Sequence, residues 1–359
     1  FSLLILNILF SIDQQSSIKS SLGIIRYFFL MLSILYCFEI DKNFQLKFSK
    51  LLFFILTFVA LDTFYQYFFG HDIFGIKNMS SHGQRLNGPF GDEYVVGSYL
   101  SKLFFLSLIY FLLNKKNFTN LFIYLILIIS ITLLTKERMA SLMLILSAFI
   151  FLFLLKNIQL KKKLALIFLF LILTSSLIYK NQSVKEHLIF KSLEQIGLKK
   201  SLIIQKDLDY SGNRFFFDSN WGAHFLTAYN IFLDNPLIGT GIKTFRKECS
   251  EDKYSDINSS KAKIRCSTHP HNIYLEFISE GGLILFIPFL ILNLYISYKL
   301  ILNIFKKKNK NISLAIFCSF LILFFPIQTT GSFFSTWNGL YYWLIYAFVI
   351  SDLMDKKKE

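Results

Sequence analysis

The stretch Thr268-His269-Pro270-His271-Asn272-Ile273-Tyr274-Leu275-Glu276-Phe277, followed at 283–302 by LILFIPFLILNLYISYKLIL, joins a polar segment carrying two histidines to side chains suited to lipid. About 20 apolar residues in a helix cross roughly 30 Å of hydrocarbon. Comparable runs fall near 22–40, 51–69, 94–113, 118–135, 140–156, 164–180, 312–328 and 338–352. They are too long and too uniformly apolar for alternating barrel strands, and a spanning segment must satisfy its own backbone hydrogen bonds. The fold class expected is therefore all-α, a polytopic transmembrane helix bundle. Composition agrees, with 54% hydrophobic and 17% charged residues. Residues 1–12 form a further apolar run, too short to span and lacking a leading methionine, and read as a helix cut by the start of the chain.

Charge in the short connections orients the bundle, because loops kept in the cytoplasm carry excess lysine and arginine. Lys42, Lys47 and Lys50, Lys115 and Lys116, Lys156 and Lys161 to Lys163, Lys306 to Lys308 and Lys310, and Lys356 to Lys358 fall in every second loop. Those loops and the carboxyl end are expected inside, and 70–93, 136–139, 181–271 and 329–337 outside. Three regions follow: N-terminal transmembrane helices 1–180, a large outer loop 181–271, and three C-terminal helices with a basic tail, 272–359. The net charge of +15 then reads as a lysine fringe facing anionic lipid, and nothing reads as a nucleic-acid module.

The exceptions to this pattern carry the chemistry. Lys136-Glu137-Arg138 lies in a short outer turn, where Arg138 either meets an anionic partner or pairs with Glu137 or headgroups. Arg26 reads as a side chain reaching from its span toward headgroups. Cys249 and Cys266 share the outer loop and are expected to pair as a disulfide, with free thiols or metal ligation beside His269 and His271 as alternatives. A helix is expected from about Asn220 to Leu233, capped by Asp218 or Ser219, with Trp221, Phe225, Ala228 and Phe232 inward. An amphipathic segment is expected over Val184–Ile196. Asp234-Asn235-Pro236 ends the first of these, and Gly239-Thr240-Gly241 reads as a tight turn. Arg214, among aromatic residues, is either an ordinary surface arginine or a second anion contact.

Several of these motifs together resemble the O-antigen ligase and polymerase superfamily. They are Arg214 followed by Trp221, Asp234-Asn235-Pro236-Leu237-Ile238-Gly239-Thr240-Gly241, His269-Pro270-His271-Asn272-Ile273-Tyr274-Leu275-Glu276, and Glu280-Gly281-Gly282. Thr135-Lys136-Glu137-Arg138 resembles that family's arginine turn, with Glu137 where a small residue is more usual. Asp62 to Gln66, Gly70-His71-Asp72-Ile73-Phe74-Gly75 and Arg85-Leu86-Asn87-Gly88-Pro89-Phe90-Gly91 also resemble its pattern.

The resemblance implies a GT-C-like bundle with a large, mainly helical periplasmic loop before the last three helices, and an amino end lacking helices that the family has. It implies a multi-pass protein of the bacterial inner membrane. The activity implied is glycosyl transfer from an undecaprenyl-diphosphate-linked glycan to a hydroxyl of lipid A-core, another glycan or a protein, without cofactor or metal. Asp92-Glu93 keeps the metal question open. His271 is the expected base, since a neutral imidazole can take a hydroxyl proton. Arg138 and Arg214 are expected to hold the departing diphosphate, because a guanidinium stays charged and binds phosphate oxygens through two donors. His269, Arg85, Arg265 and Glu280 are expected to contact substrate. The leading expectation is an O-antigen ligase, with a polymerase or protein O-oligosaccharyltransferase of the same superfamily beside it. A polysaccharide transporter would instead concentrate polar and interrupted sequence at mid-bilayer.

Overall fold

The computed structural model describes residues 2–78, 85–114, 118–156, 158–195, 215–306 and 309–354. Its longer elements are helices: α1 (Ser2–Leu9), α2 (Gln14–Ile40), α3 (Phe44–Phe69), α4 (Val96–Leu113), α5 (Phe118–Leu134), α6 (Arg138–Leu154), α7 (Leu160–Lys180), α8 (Asn220–Asp234), α9 (Ile273–Lys306), α10 (Lys310–Phe324) and α11 (Thr336–Met354). Short helical turns continue over 182–195. Among the described residues, extended backbone pairs only at an isolated bridge between His71 and Lys77. The protein is an all-helical, polytopic membrane protein.

Each apolar run lies on a helix. By length and composition α2, α3, α4, α7 and α9 suffice to cross a membrane, whereas α5, α6 and α10 are shorter apolar helices. At 1.5 Å per residue, helices of this size reach only about 25 Å. Among the described residues, five of the helices on the nine expected runs thus meet full span length and apolarity. α11 has 19 residues but mixes Asn338, Tyr341, Tyr342 and Asp352 into its apolar positions.

The chain forms two compact units. One comprises residues 1–32, 191–296 and 325–344, and the other 33–190, 297–324 and 345–359. In the second unit α4 is the core helix, with α3, α5, α6 and α10 packed on it. Of its apolar window 72% is buried, against 17% for α7. Leu164, Phe168, Leu171 and Ile172 on α7 are accordingly exposed, as side chains bathed in lipid would be.

In the first unit Ser219 caps α8, its Oγ accepting the Gly222 amide at 3.0 Å. The buried face of α8 is His224, Thr227, Ala228 and Ile231. Trp221, Phe225 and Phe232, expected inward, are only half-buried. The reason is close packing: Ala228 and Ile231 meet Phe245, Cys249 and Tyr254, and large aromatics would not fit there.

A break in α9 positions the site. Gly282 sits at φ 61°, which releases the Leu283 and Ile284 amides to the carbonyls of Pro236 at 2.9 Å and Leu237 at 3.1 Å. In return the amides of Thr240 and Gly241 bond the carbonyls of Ser279 at 3.2 Å and Glu280 at 2.9 Å. The turn at 236–241 thus replaces the helix hydrogen bonds lost at the break. A Cβ on Gly239 would lie 2.5 Å from the Glu280 backbone, and one on Gly282 would lie 2.4 Å from the Leu237 carbonyl. Both positions require glycine. Asn7 of α1, fully buried, locks this joint by donating to the carbonyls of Ile238 at 2.7 Å and Glu280 at 2.9 Å and accepting the Ile242 amide at 3.1 Å.

Candidate functional site

Asn272 fixes the histidine segment. Its Oδ1 accepts the amides of Tyr274 at 2.9 Å and Leu275 at 3.1 Å, capping α9, while its Nδ2 donates to the carbonyls of Pro326 and Gln328. One residue earlier His271 adopts φ 58°, a left-handed conformation uncommon outside glycine but one that histidine enters more readily than most side chains. The Thr330 amide bonds the His271 carbonyl at 2.7 Å. The left-handed turn brings the imidazoles of His269 and His271 to 4.1 Å between centroids. The backbone reversal at His271 is what brings together two rings separated by Pro270.

The ring nitrogens differ in their commitments. His269 uses both, with Nδ1 2.9 Å from Thr268 Oγ1 and Nε2 3.3 Å from the Thr330 carbonyl. His271 Nε2 meets Ser267 Oγ at 2.8 Å, and its Nδ1 has no hydrogen-bond partner among the described residues. Burial, then the neighbouring His271 and Lys243, hold His269 down at about 3. Burial, then His224, hold His271 down at about 4. Both imidazoles are therefore neutral at ordinary pH, and His271 keeps a lone pair for a proton.

His224 and Lys243, which sequence reasoning passed over, complete this cluster together with Trp221. His224 on α8 donates Nδ1–H to the Arg265 carbonyl at 2.9 Å and lies 5.3 Å from the His271 ring. Trp221, three residues earlier and so on the same helix face, meets His271 edge-on at 4.6 Å. That i, i+3 spacing was the available signal. Lys243, at φ 67°, bonds Ser332 Oγ and lies 3.8 Å from Glu276 Oε1. Its signal was a cation two residues after the Gly239-Thr240-Gly241 turn.

The remaining polar groups serve the backbone. Glu276 takes the Phe333 amide at 2.7 Å and the Ser332 hydroxyl. Glu280, fully buried, accepts the amides of Lys243 at 2.7 Å and Phe245 at 3.0 Å. Its carboxylate, expected to contact sugar, is thus committed to holding the left-handed Lys243. Arg265, expected to contact an anion, donates to the carbonyls of Cys249 at 2.9 Å, Ser250 at 3.2 Å and Glu251 at 3.4 Å. Cys249 and Cys266 form a disulfide with Cα atoms 5.3 Å apart, so covalent bond and arginine clamp hold the same loop. Replacing both cysteines with serine is expected to cost about 3 kcal/mol, seen as a lower thermal midpoint. An unchanged midpoint would leave the loop to the Arg265 bonds alone.

The arginine turn belongs to the second unit. Lys136, at φ 61°, reverses the chain so that Arg138 begins α6. Glu137 turns away from its neighbour and accepts the first amides of α4, Gly97 at 2.7 Å and Ser98 at 3.0 Å, where a helix favours negative charge. Burial raises the Glu137 carboxyl and the charge of Arg85 opposes it. Arg85 also bears electrostatically on Arg138, donates to the Tyr94 carbonyl at 3.1 Å and has a buried Nε without a hydrogen-bond partner. Arg85 therefore lies within electrostatic reach of both the Glu137 carboxylate and the Arg138 guanidinium. Arg26 bonds Tyr27 Oη and Thr336 Oγ1, each at 2.8 Å. Arg214 lies outside the described residues.

Among the described residues, no group of three or more His, Cys, Asp or Glu is arranged to hold a metal. No curated protein and no solved structure matches the chain. A family model described as O-antigen ligase matches residues 123–290, a segment that contains Arg138, the turn at 236–241, His269, His271 and Gly282. Over this segment, just under half of the chain, the protein is similar to the O-antigen ligase family.

Proposed function

We infer that this protein transfers a glycan from undecaprenyl diphosphate to an acceptor hydroxyl at the periplasmic face of the inner membrane, as an O-antigen ligase acting on lipid A-core. The observation that carries this reading is His271, held neutral in a left-handed turn with one ring nitrogen unbonded among the described residues. The acceptor oxygen bonds the anomeric carbon as the bond from that carbon to the phosphate oxygen breaks. The diphosphate leaves with the bonding electron pair, and the hydroxyl proton passes to His271. Glycosyl transfer proceeds through a cation-like sugar. The attacking hydroxyl becomes strongly acidic as it bonds, so a weak base suffices late in the step. Arg138 and Arg85 supply fixed positive charge for the diphosphate, a role that Arg214 shares. The loop 181–271 is periplasmic and the carboxyl end cytoplasmic in this reading, which follows the distribution of lysine.

Expression in a ligase-null strain tests it. Long-chain lipopolysaccharide should return, and should disappear again in Arg138→Ala. Accumulation of single lipid-linked repeats in a strain lacking this gene would transfer the reading to a polymerase. Full transfer in both Arg138→Ala and His271→Ala would remove the site assignment.

A further inference from the structure

Asp62 lies on α3 and Asp72 in the loop that follows it, both in segments not used by the chemistry above. The two side chains are 2% and 0% exposed. Asp62 Oδ1 accepts the Ile73 amide at 2.8 Å, and Asp72 Oδ1 accepts the amides of Phe74 at 3.0 Å and Ile76 at 2.6 Å. Because Ile73 and Phe74 are adjacent, the carboxylates sit side by side, and the charge of Asp72 bears on Asp62. Among the described residues their second oxygens are buried without a hydrogen-bond partner, and so is Asn78 Oδ1 in the same loop. No ion pair reaches either carboxylate among the described residues, and Lys77 is exposed.

The two free carboxylate oxygens, both acceptors and both anionic, cannot satisfy one another. Buried oxygens of this kind are normally matched by a donor or a cation. We propose that Asp62 and Asp72 bind a hard divalent cation of the calcium class at the end of α3. Paired carboxylates are the anionic ligands such an ion takes, with waters and loop carbonyls completing its shell. The cation pins the loop Gly70–Asn78. Gln66 carries that position onward: its Nε2 donates to the Ile76 carbonyl at 3.3 Å and Asn87 Oδ1 at 2.7 Å, and its Oε1 accepts the amides of Asn87 at 3.1 Å and Gly88 at 2.9 Å. Arg85, two residues before Asn87, is positioned through this chain of bonds.

The test uses the whole protein in detergent, stripped with EDTA. Calcium should raise the thermal midpoint by several degrees, half-saturating in the range of about 10⁻⁴–10⁻³ M seen for extracellular calcium modules. Asp62→Asn and Asp72→Asn should each abolish that response, and without calcium each should melt no lower than the parent, since one of two facing charges is gone. Terbium luminescence from the parent, displaced by calcium and weakly by magnesium, would support the site independently of any variant. The proposal is overturned by a midpoint indifferent to calcium, or by a response that survives in both variants. A midpoint that ignores calcium but follows pH through the neutral range would also overturn it, assigning the pair a shared proton instead.

Discussion

Replacing His271 with alanine is expected to lower glycan transfer by about 10²–10⁴-fold, the usual contribution of a positioned base. Fold and membrane insertion should remain intact, because Asn272 makes the structural contacts at this point. The pH profile identifies the role. A base works unprotonated, and burial with His224 nearby holds His271 at about 4. The rate should therefore stay level from neutral pH down to about 5 and fall as pH drops through about 4. His224→Gln removes the neighbouring charge that lowers His271, so the acidic fall should move to higher pH. A profile that falls near 6.5, the unperturbed histidine value, would refute this environment. Stability follows the same sign. The unfolded chain takes up protons on His269 and His271 below about 6.5 while the folded protein resists until about 4 for His271 and about 3 for His269. Stability is present above the unfolded value and is lost progressively as pH falls.

Lys243→Met is expected to destabilise the first unit by about 3–5 kcal/mol, because it leaves Glu276 buried without its cation. Lys243 is 12% exposed and Glu276 1%, so water offers little compensation. Adding Glu276→Gln should restore much of the loss, since removing both charges of a buried pair costs far less than removing one. Chemical unfolding followed by tryptophan fluorescence reads both effects. Equal stability of parent and Lys243→Met would mean that Ser332 and Phe333 alone satisfy Glu276. Lys243→Gly separates backbone from charge: glycine relieves the positive φ, so it should be less damaging than methionine.

The apolar runs made the helices legible because lipid imposes one constraint, an unbroken apolar length, that any single stretch reports by itself. The loop helix was legible from Ser219 and the Asp234-Asn235-Pro236 stop for the same reason: caps and breakers act locally. What stayed hidden depends on distant partners. Asn7 looks like an ordinary polar residue in an apolar stub, and its purpose emerges only when residues 238–280 fold around it. Lys243 and His224 each acquire meaning from groups far along the chain. Glu137, the departure from the usual small residue before the arginine, is explained by the free amides of Gly97 and Ser98. Arg265 and Glu280 carry the charge that a substrate contact would need, yet their hydrogen bonds go to main chain, which sequence spacing cannot reveal.

The broken helix α9 imposes an order on assembly. Residues Ile273–Gly281 cannot close their hydrogen bonds with the helical turns that follow, so they depend on the strap at 236–241, which is synthesised first. The strap must already be on its final side of the membrane, and near its final shape, when the span after Gly282 inserts. Without the strap, the Leu283 and Ile284 amides and the Ser279 and Glu280 carbonyls would lie unpaired at the break. The shape of a membrane helix is thereby made contingent on a turn about forty residues earlier in the chain.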